Sequence, residues 1–384
     1  MLLATPYWVN YWKDRFMVKK ISLIFVFIMM MTFSHSESLR AYQPARTLSM
    51  GTSFITDSST FDGFFSNPAL LGYMEDKSLI TGLDIRLGTN KWPELSGFVK
   101  KVIDDSDSVK DISALMPLLG VALDVDIGGP FLFGMVKNHF AWSLTHVSYG
   151  TVSLASISNF KLFAGEDISL DFGYGREIFD IDGHSLALGG TARFFMLNRV
   201  SAAIDLQDIS ADFADNLAGL LRTDLGFGFG FDMGVIYRFR DFLSLGIAWK
   251  DAASPYGLKN MANDDKTQGL LDNNLTVGVG LHIPVDWSRG VITKWNIMAD
   301  YTNIVQAFDK NYRNPWLNLA VGTELQLFKF LFLRTGIGEM YWHAGVGLGI
   351  KMFKIDFAAF GRELGGEPGA MSQFNMALSF RFAH

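Results

Sequence analysis

Residues 225–239 read LGFGFGFDMGVIYRF and alternate in character at every step. Leu225, Phe227, Phe229, Phe231, Met233, Val235, Tyr237 and Phe239 fall on one face. Gly226, Gly228, Gly230, Asp232, Gly234 and Arg238 fall on the other, with Ile236 the apolar exception. Period two predicts a β-strand, because successive side chains of a strand leave opposite faces. Large apolar groups backed by small and charged ones suit a wall with hydrocarbon outside and water or a plug inside. In that reading Gly226, Gly228 and Gly230 are small residues facing a lumen.

The same scheme recurs from residue 77 onward and predicts about fourteen strands: 77–88, 119–136, 139–160, 167–179, 184–197, 223–239, 241–252, 273–284, 293–304, 314–328, 330–339, 341–351, 353–362 and 371–382. The stretch 119–160 divides in more than one way. An even count returns both ends to one side of a membrane. Short connections fall at Lys137-Asn138, Asp180–Gly183, Arg240-Asp241, Asp286–Gly290, Lys329 and Met352, while 89–118, 198–222 and 253–272 are long. Short turns on one side and longer loops on the other are the habit of outer-membrane barrels. A soluble lipocalin-like barrel would turn its apolar faces inward and needs about half as many strands. The predicted class is therefore all-β: a transmembrane antiparallel β-barrel over 77–384.

Two connections break the rhythm. Leu95, Phe98, Val99, Val102 and Ile103, and then Ile209, Phe213, Leu217 and Leu220, recur at helical spacing. Helical extracellular loops are expected near 89–118 and 198–222. They either pack on each other to close the barrel top or offer a greasy landing site.

Composition agrees. The 384 residues include 14% aromatics, 38 glycines and no cysteine, with mean hydropathy +0.19. No apolar run long enough for a membrane helix occurs after residue 36. Residues 1–36 are expected to be a signal peptide. Met17-Val18-Lys19-Lys20 is the basic start, Ile21–Phe33 the apolar run, and Ser34-His35-Ser36 the small-x-small site. Residues 1–16 stand outside this pattern, so Met17 is a candidate start; an uncleaved anchor is the rival reading. Removing 1–36 takes away four basic groups and one acid, so net charge falls from −6 to −9. An acidic chain argues against a nucleic-acid partner.

Residues 37–76 precede the first strand and lack its alternation. About thirty residues placed before a closed barrel can fold into its lumen as a hatch. Ser66-Asn67-Pro68-Ala69-Leu70-Leu71 reads as a turn followed by a short helix, since Pro at a first helical position sacrifices no hydrogen bond. The segment with Ala45-Arg46, Met50-Gly51, Phe54, Asp57 and Asn67-Pro68-Ala69 resembles the N-terminal hatch of the FadL superfamily of outer-membrane long-chain fatty acid transporters. Gly246–Asp251, Val321–Glu324, Leu333–Gly336 and Ile355–Ala358 are similar to the spirochaetal FadL-like proteins and their PorV-type relatives. The resemblance spans most of residues 44–382. It implies a fourteen-stranded barrel in the outer membrane of a Gram-negative-type envelope, with a lumenal hatch at Asn67, Pro68 and Ala69. It also implies a hydrophobic ligand such as a fatty acid, passing through the wall or past the hatch. The partners implied are outer-membrane lipid and, during biogenesis, the barrel-assembly machinery. One departure is that Ala383-His384 follow Phe382, the expected terminal aromatic.

No enzyme chemistry is expected. Gly226-x-Gly228-x-Gly230 and Gly345-x-Gly347-x-Gly349 lie within strands and open no helix, so they fail as phosphate loops. The scattered histidines lack metal-ligand spacing, and no G-x-S-x-G elbow occurs. No cofactor or metal is expected. Asp84, Arg86, Asp171, Arg193, Asp232, Arg238, Asp300, Glu324, Arg334, Lys354, Asp356 and Arg362 fall on polar faces, where a lumenal network would hold them. Arg193 and Arg334 are the basic groups singled out for a carboxylate head group. Two alternatives to transport remain at this stage: a PorV-like barrel that docks or assembles secreted proteins, and a general porin.

Overall fold

The computed structural model describes residues 43–104, 116–129, 131–156, 159–204, 222–308 and 313–383. The expected signal peptide, the start at Met17 and the helix expected over 205–221 lie outside the described residues.

Fourteen antiparallel strands close into a barrel. In chain order they are β1 (Lys77–Thr89), β2 in two pieces (Val121–Gly128 and Phe133–Lys137), β3 (Phe140–Ser156), β4 (Asn159–Ile181) and β5 (His184–Ile204). Next come β6 (Arg222–Phe239), β7 (Leu243–Lys250, continued by Pro255–Asn260) and β8 (Lys266–Leu270, continued by Asn274–His282). The rest are β9 (Ile292–Tyr301), β10 (Leu319–Leu327), β11 (Leu331–Gly338), β12 (Tyr341–Ile350), β13 (Phe353–Glu363) and β14 (Ser372–Ala383). Closure is the pairing of β1 with β14, in register from Thr81 opposite Phe382 to Thr89 opposite Phe374. Both pieces of β2 pair with β1 and β3, and the break between them turns on Gly129. There φ is +93° and a side chain would run into the Gly82 carbonyl, so the position needs glycine.

Three expectations change at the long-loop end. The connection 253–272 is a hairpin: Pro255–Asn260 pairs with the top of β6 and with Lys266–Leu270. β4 and β5 also run further than expected, to 159–181 and 184–204. Strands that rise past the hydrocarbon meet water on both faces, so Lys259, Lys266 and Gln268 can face out and the apolar alternation disappears. Residues 315–318, expected to begin a strand, form a 3-10 helix with Pro315 at its start. The helix expected in the first long connection is present as α3 (Trp92–Asp104), after the two short helices α1 (Ala45–Leu48) and α2 (Asp62–Ser66).

The outer face carries Phe172, Phe194, Phe227, Phe231, Ile247 and Val346 exposed side by side. So wide an apolar belt is stable against hydrocarbon and not against water. No helix among the described residues is long and apolar enough to cross a membrane.

Residues 45–74 lie inside the barrel. Near the short-turn mouth Phe61, Phe64, Leu70, Leu71 and Met74 pack against Leu132, Val136 and Ile236 of the wall. This explains why Ile236 breaks the polar row of its strand. Each such side chain contributes about 1.5–3 kcal/mol by burial. Elsewhere the segment lies against glycines. Gly322, Gly336 and Gly338 face Met50-Gly51, and Gly175, Gly189 and Gly234 face Asn67, Pro68 and their neighbours. Gly226, Gly228 and Gly230 also face inward, but Leu258, Phe195 and the Ser254–Arg193 group cover them. The segment does not.

At Gly336 a β-carbon would lie 2.6 Å from the Met50 carbonyl carbon and 2.9 Å from the Gly51 nitrogen, both main-chain atoms. Gly336→Val should therefore destabilise the folded barrel by about 1–3 kcal/mol through overpacking. Gly190→Ala, where the nearest atom is a Phe231 ring carbon at 3.5 Å, should change stability by about 0.5 kcal/mol or less. Thermal melting followed by heat-dependent gel mobility separates the two.

Candidate functional site

The lumenal segment is held by a line of alternating charges. Arg46, on α1, is 1% exposed and grips Glu324 on β10 with two bonds of 2.8 Å. It also pairs with Asp57 and donates to the Thr60 hydroxyl at 3.0 Å. Glu324 accepts in addition from Arg334 Nε at 2.7 Å, and Arg334 Nη1 reaches Asp356 at 2.7 Å. At the other side of the segment Arg381 pairs with Asp62, and the Ala45 amide donates to Ser379 Oγ at 2.8 Å. Burial alone would raise the Asp57 carboxyl, but Arg46 and then Lys294 outweigh it and hold it well below the usual carboxylate range.

Asn67, Pro68 and Ala69 are buried against the wall. Asn67 Oδ1 accepts the Ala69 amide at 3.0 Å and caps the 3-10 turn Pro68–Gly72. Its Nδ2 donates to the carbonyls of Ile247 at 3.2 Å and Val235 at 3.4 Å. Glycine at 234 gives the asparagine room to reach the strands. One side chain thus caps the start of a turn and ties it to β6 and β7.

Arg193 and Arg334 are both committed to wall carboxylates. Arg193 meets Asp171 at 2.7 Å, Asp232 at 2.7 Å and Asp251 at 3.2 Å. Arg334 meets Glu324 and Asp356, as described above. The register explains both: Asp171 stands directly opposite Arg193, and Glu324 directly opposite Arg334. Burial pushes the Asp251 carboxyl, in the turn between the two pieces of β7, upward against the pull of Arg193.

Three features escaped the pattern reading. Arg199 lies on the inward face of β5, above Leu197; it is 8% exposed and makes no ion pair among the described residues. The sequence pattern places its segment in the loop 198–222, because the apolar signal ends near 197. Below Arg199 an inward apolar cluster joins Phe195, Leu197, Tyr256, Leu258 and Leu271. Finally, a cavity of about 460 Å³ opens on the apolar belt, lined by Val235, Tyr237, Leu245, Ile247, Val277 and Leu319. Its floor includes Gly246 and Gly278, cross-strand partners, and Ile55 and Thr56 of the lumenal segment press on these glycines from inside. Only main chain separates lumen from belt there. Among the described residues no group of three or more histidine, aspartate or glutamate side chains could hold a metal ion.

The sequence matches no protein-family profile and no curated protein. Solved structures do match. A deletion mutant of the monoaromatic hydrocarbon channel TodX shares 13% identity over 88% of this chain and 98% of that one, with a TM-score of 0.51. The toluene transporter TbuX of Ralstonia pickettii shares 15% over 89% and 98%, with a TM-score of 0.48. A Pseudomonas aeruginosa FadL homologue shares 11% over 92% and 99%, with a TM-score of 0.42. At such identities the likeness is one of fold.

Removing Arg46 leaves Glu324 with Arg334 alone and Asp57 with only Lys294 at 3.8 Å, and breaking a buried pair typically costs about 3–5 kcal/mol. Arg46→Ala should open the segment to chymotrypsin at Phe54, Phe61 and Phe64 while the barrel stays folded. Lys294→Ala removes a pair 3.8 Å long whose cation is 30% exposed, so after discounting for solvent it should cost under about 1 kcal/mol and leave protease resistance unchanged.

Proposed function

We propose that this chain is an outer-membrane channel for hydrophobic small molecules and that residues 43–76 are its hatch. The observation that carries the reading is the apolar wall cavity seated against the hatch turn Ile55-Thr56, with two glycines between them. A fold shared with a monoaromatic hydrocarbon channel supports the same class of cargo. The filled lumen speaks against a general porin.

Capture begins at the long-loop end, where Leu270, Val305, Phe308 and Trp316 are exposed. The cluster of Phe195, Leu197, Tyr256, Leu258 and Leu271 offers the next apolar surface inside. The hatch then moves about Asn67-Pro68-Ala69, and cargo passes through the wall cavity or past the hatch by diffusion. Outer-membrane lipid covers the belt, and the barrel-assembly machinery inserts it. Long-chain fatty acids are the cargo the sequence resemblance favours. Since Arg193 and Arg334 are engaged by carboxylates, Arg199 is the guanidinium best placed for a head group. Gly246–Asp251 and Ile355–Ala358 support a place near the spirochaetal FadL-like and PorV-type barrels.

Two measurements test the reading. The first is saturable binding of a long-chain fatty acid and of a monoaromatic hydrocarbon to the purified protein. Both are expected to bind, and Arg199→Ala should weaken only the fatty acid, by about tenfold for one lost charge-assisted contact. Absence of saturable binding by either sinks the channel reading in favour of a docking barrel. The second is a lock. A β-carbon at Gly280 would lie 3.1 Å from Thr56 Cβ, close to disulfide reach, and the chain has no other cysteine. Thr56→Cys with Gly280→Cys should stop uptake into proteoliposomes when oxidised and restore it when reduced. Undiminished uptake with the bond closed rules out hatch gating.

A further inference from the structure

Most buried acids of the lumen come with a cation. Glu324 has Arg46 and Arg334, Asp356 has Arg334, Asp62 has Arg381, and Asp171 and Asp232 share Arg193. Asp300 on β9 has none among the described residues, although it is only 1% exposed. Its Oδ2 accepts the main-chain amides of Phe54 at 2.6 Å and Ile55 at 3.0 Å. Its Oδ1 is buried and has no partner.

Among the described residues no other titratable side chain pairs with Asp300. β8 presents Gly278 and β10 presents Ala320 directly opposite Asp300. The lumenal segment presents Ser53, Phe54, Ile55 and Thr56, and β9 itself presents Met298 on the same face. The nearest titratable groups on these faces are spoken for: His282 bonds Asn296, Glu324 bonds Arg46 and Arg334, and Asp57 of the segment pairs with Arg46 and with Lys294 of β9.

Such a group is divided between two states. Two amide donors favour the anion, whereas burial without a counter-charge favours the acid, with the proton on the empty Oδ1. The states grip differently, because amides bind an ionised carboxylate more strongly than a neutral carboxyl. We propose that Asp300 is a proton-operated latch: ionised, it pins the turn Phe54-Ile55 to the wall, and protonated, it releases that turn. Arg46 anchors the segment on one side and Asp57, held by Arg46 and Lys294, on the other, so the moving part is the turn between them, over the wall cavity. The latch deepens the gating reading and rests on it for its purpose, yet it can be tested without any cargo.

The absence of native cysteine makes a single-thiol experiment clean. Thr56 is fully buried, and Thr267 lies exposed on the hairpin of β7 and β8. Maleimide labelling of Thr56→Cys, divided by that of Thr267→Cys, removes the intrinsic pH dependence of the thiol. The ratio should rise about tenfold between about pH 8 and about pH 5 in the otherwise unaltered chain. With Asp300→Asn it should be high and flat. With Asp300→Glu, which keeps the acid on a longer arm, the midpoint should move. A ratio that stays flat without any change at Asp300 overturns the latch. So does a rise that persists in Asp300→Asn, or an unmoved midpoint in Asp300→Glu if the asparagine variant fails to assemble. Failure of cargo binding would leave this result untouched, so the two proposals fail separately.

Discussion

Glu324 cannot remain charged inside the barrel without partners, and it takes them from two parts of the chain. Arg334 comes from the neighbouring strand, at 2.7 Å. Arg46 comes from a segment 278 residues away in sequence and binds through two bonds. A wall carboxylate shared in this way makes the segment part of the wall's own electrostatic balance. Removing either guanidinium takes from a buried charge one of its two partners, which costs far more than the loss of an exposed pair. The position of α1, the course of residues 49–57 and the packing against β10 and β11 all follow from that one shared acid.

Small residues supply the space that this attachment needs. Met50-Gly51 can lie on Gly322, Gly336 and Gly338 only because no β-carbon stands between them. On the opposite side Asn67 reaches the carbonyls of Val235 and Ile247 over Gly234. The segment is therefore clamped by charge on one flank and by hydrogen bonds on the other. Between them the amides of Phe54 and Ile55 are held by an acid that has no cation among the described residues. The stretch held without a cation lies over Gly246 and Gly278, which line the cavity on the belt. A turn so placed beside an apolar cavity is what the proposed path for hydrophobic cargo requires.

Much of the architecture was legible because a membrane makes period two audible. Every strand that crosses the belt must turn apolar groups to hydrocarbon, so the Phe227, Phe229, Phe231 row and its thirteen counterparts stood out. Where strands leave the hydrocarbon the constraint lapses, which is why the 255–270 hairpin and the inward Arg199 went unseen. The inward charges were legible as a class for the same reason. Their individual duties were not. Whether Arg193 is open to a ligand or spent on aspartates depends on which residue stands across from it, and register is a property of paired strands.

By itself, then, the sequence determined the alternating wall, the strand count, the short and long connections and the presence of a distinct segment before β1. Each of these is a local pattern, written within a few residues of where it acts. Only the tertiary structure decided which glycines receive the segment, that Arg46 rather than a strand arginine binds it, and that Asp300 holds a turn with no cation beside it. Those facts join residues up to about three hundred positions apart. Closure of the barrel sets such distances, and no stretch of sequence records them.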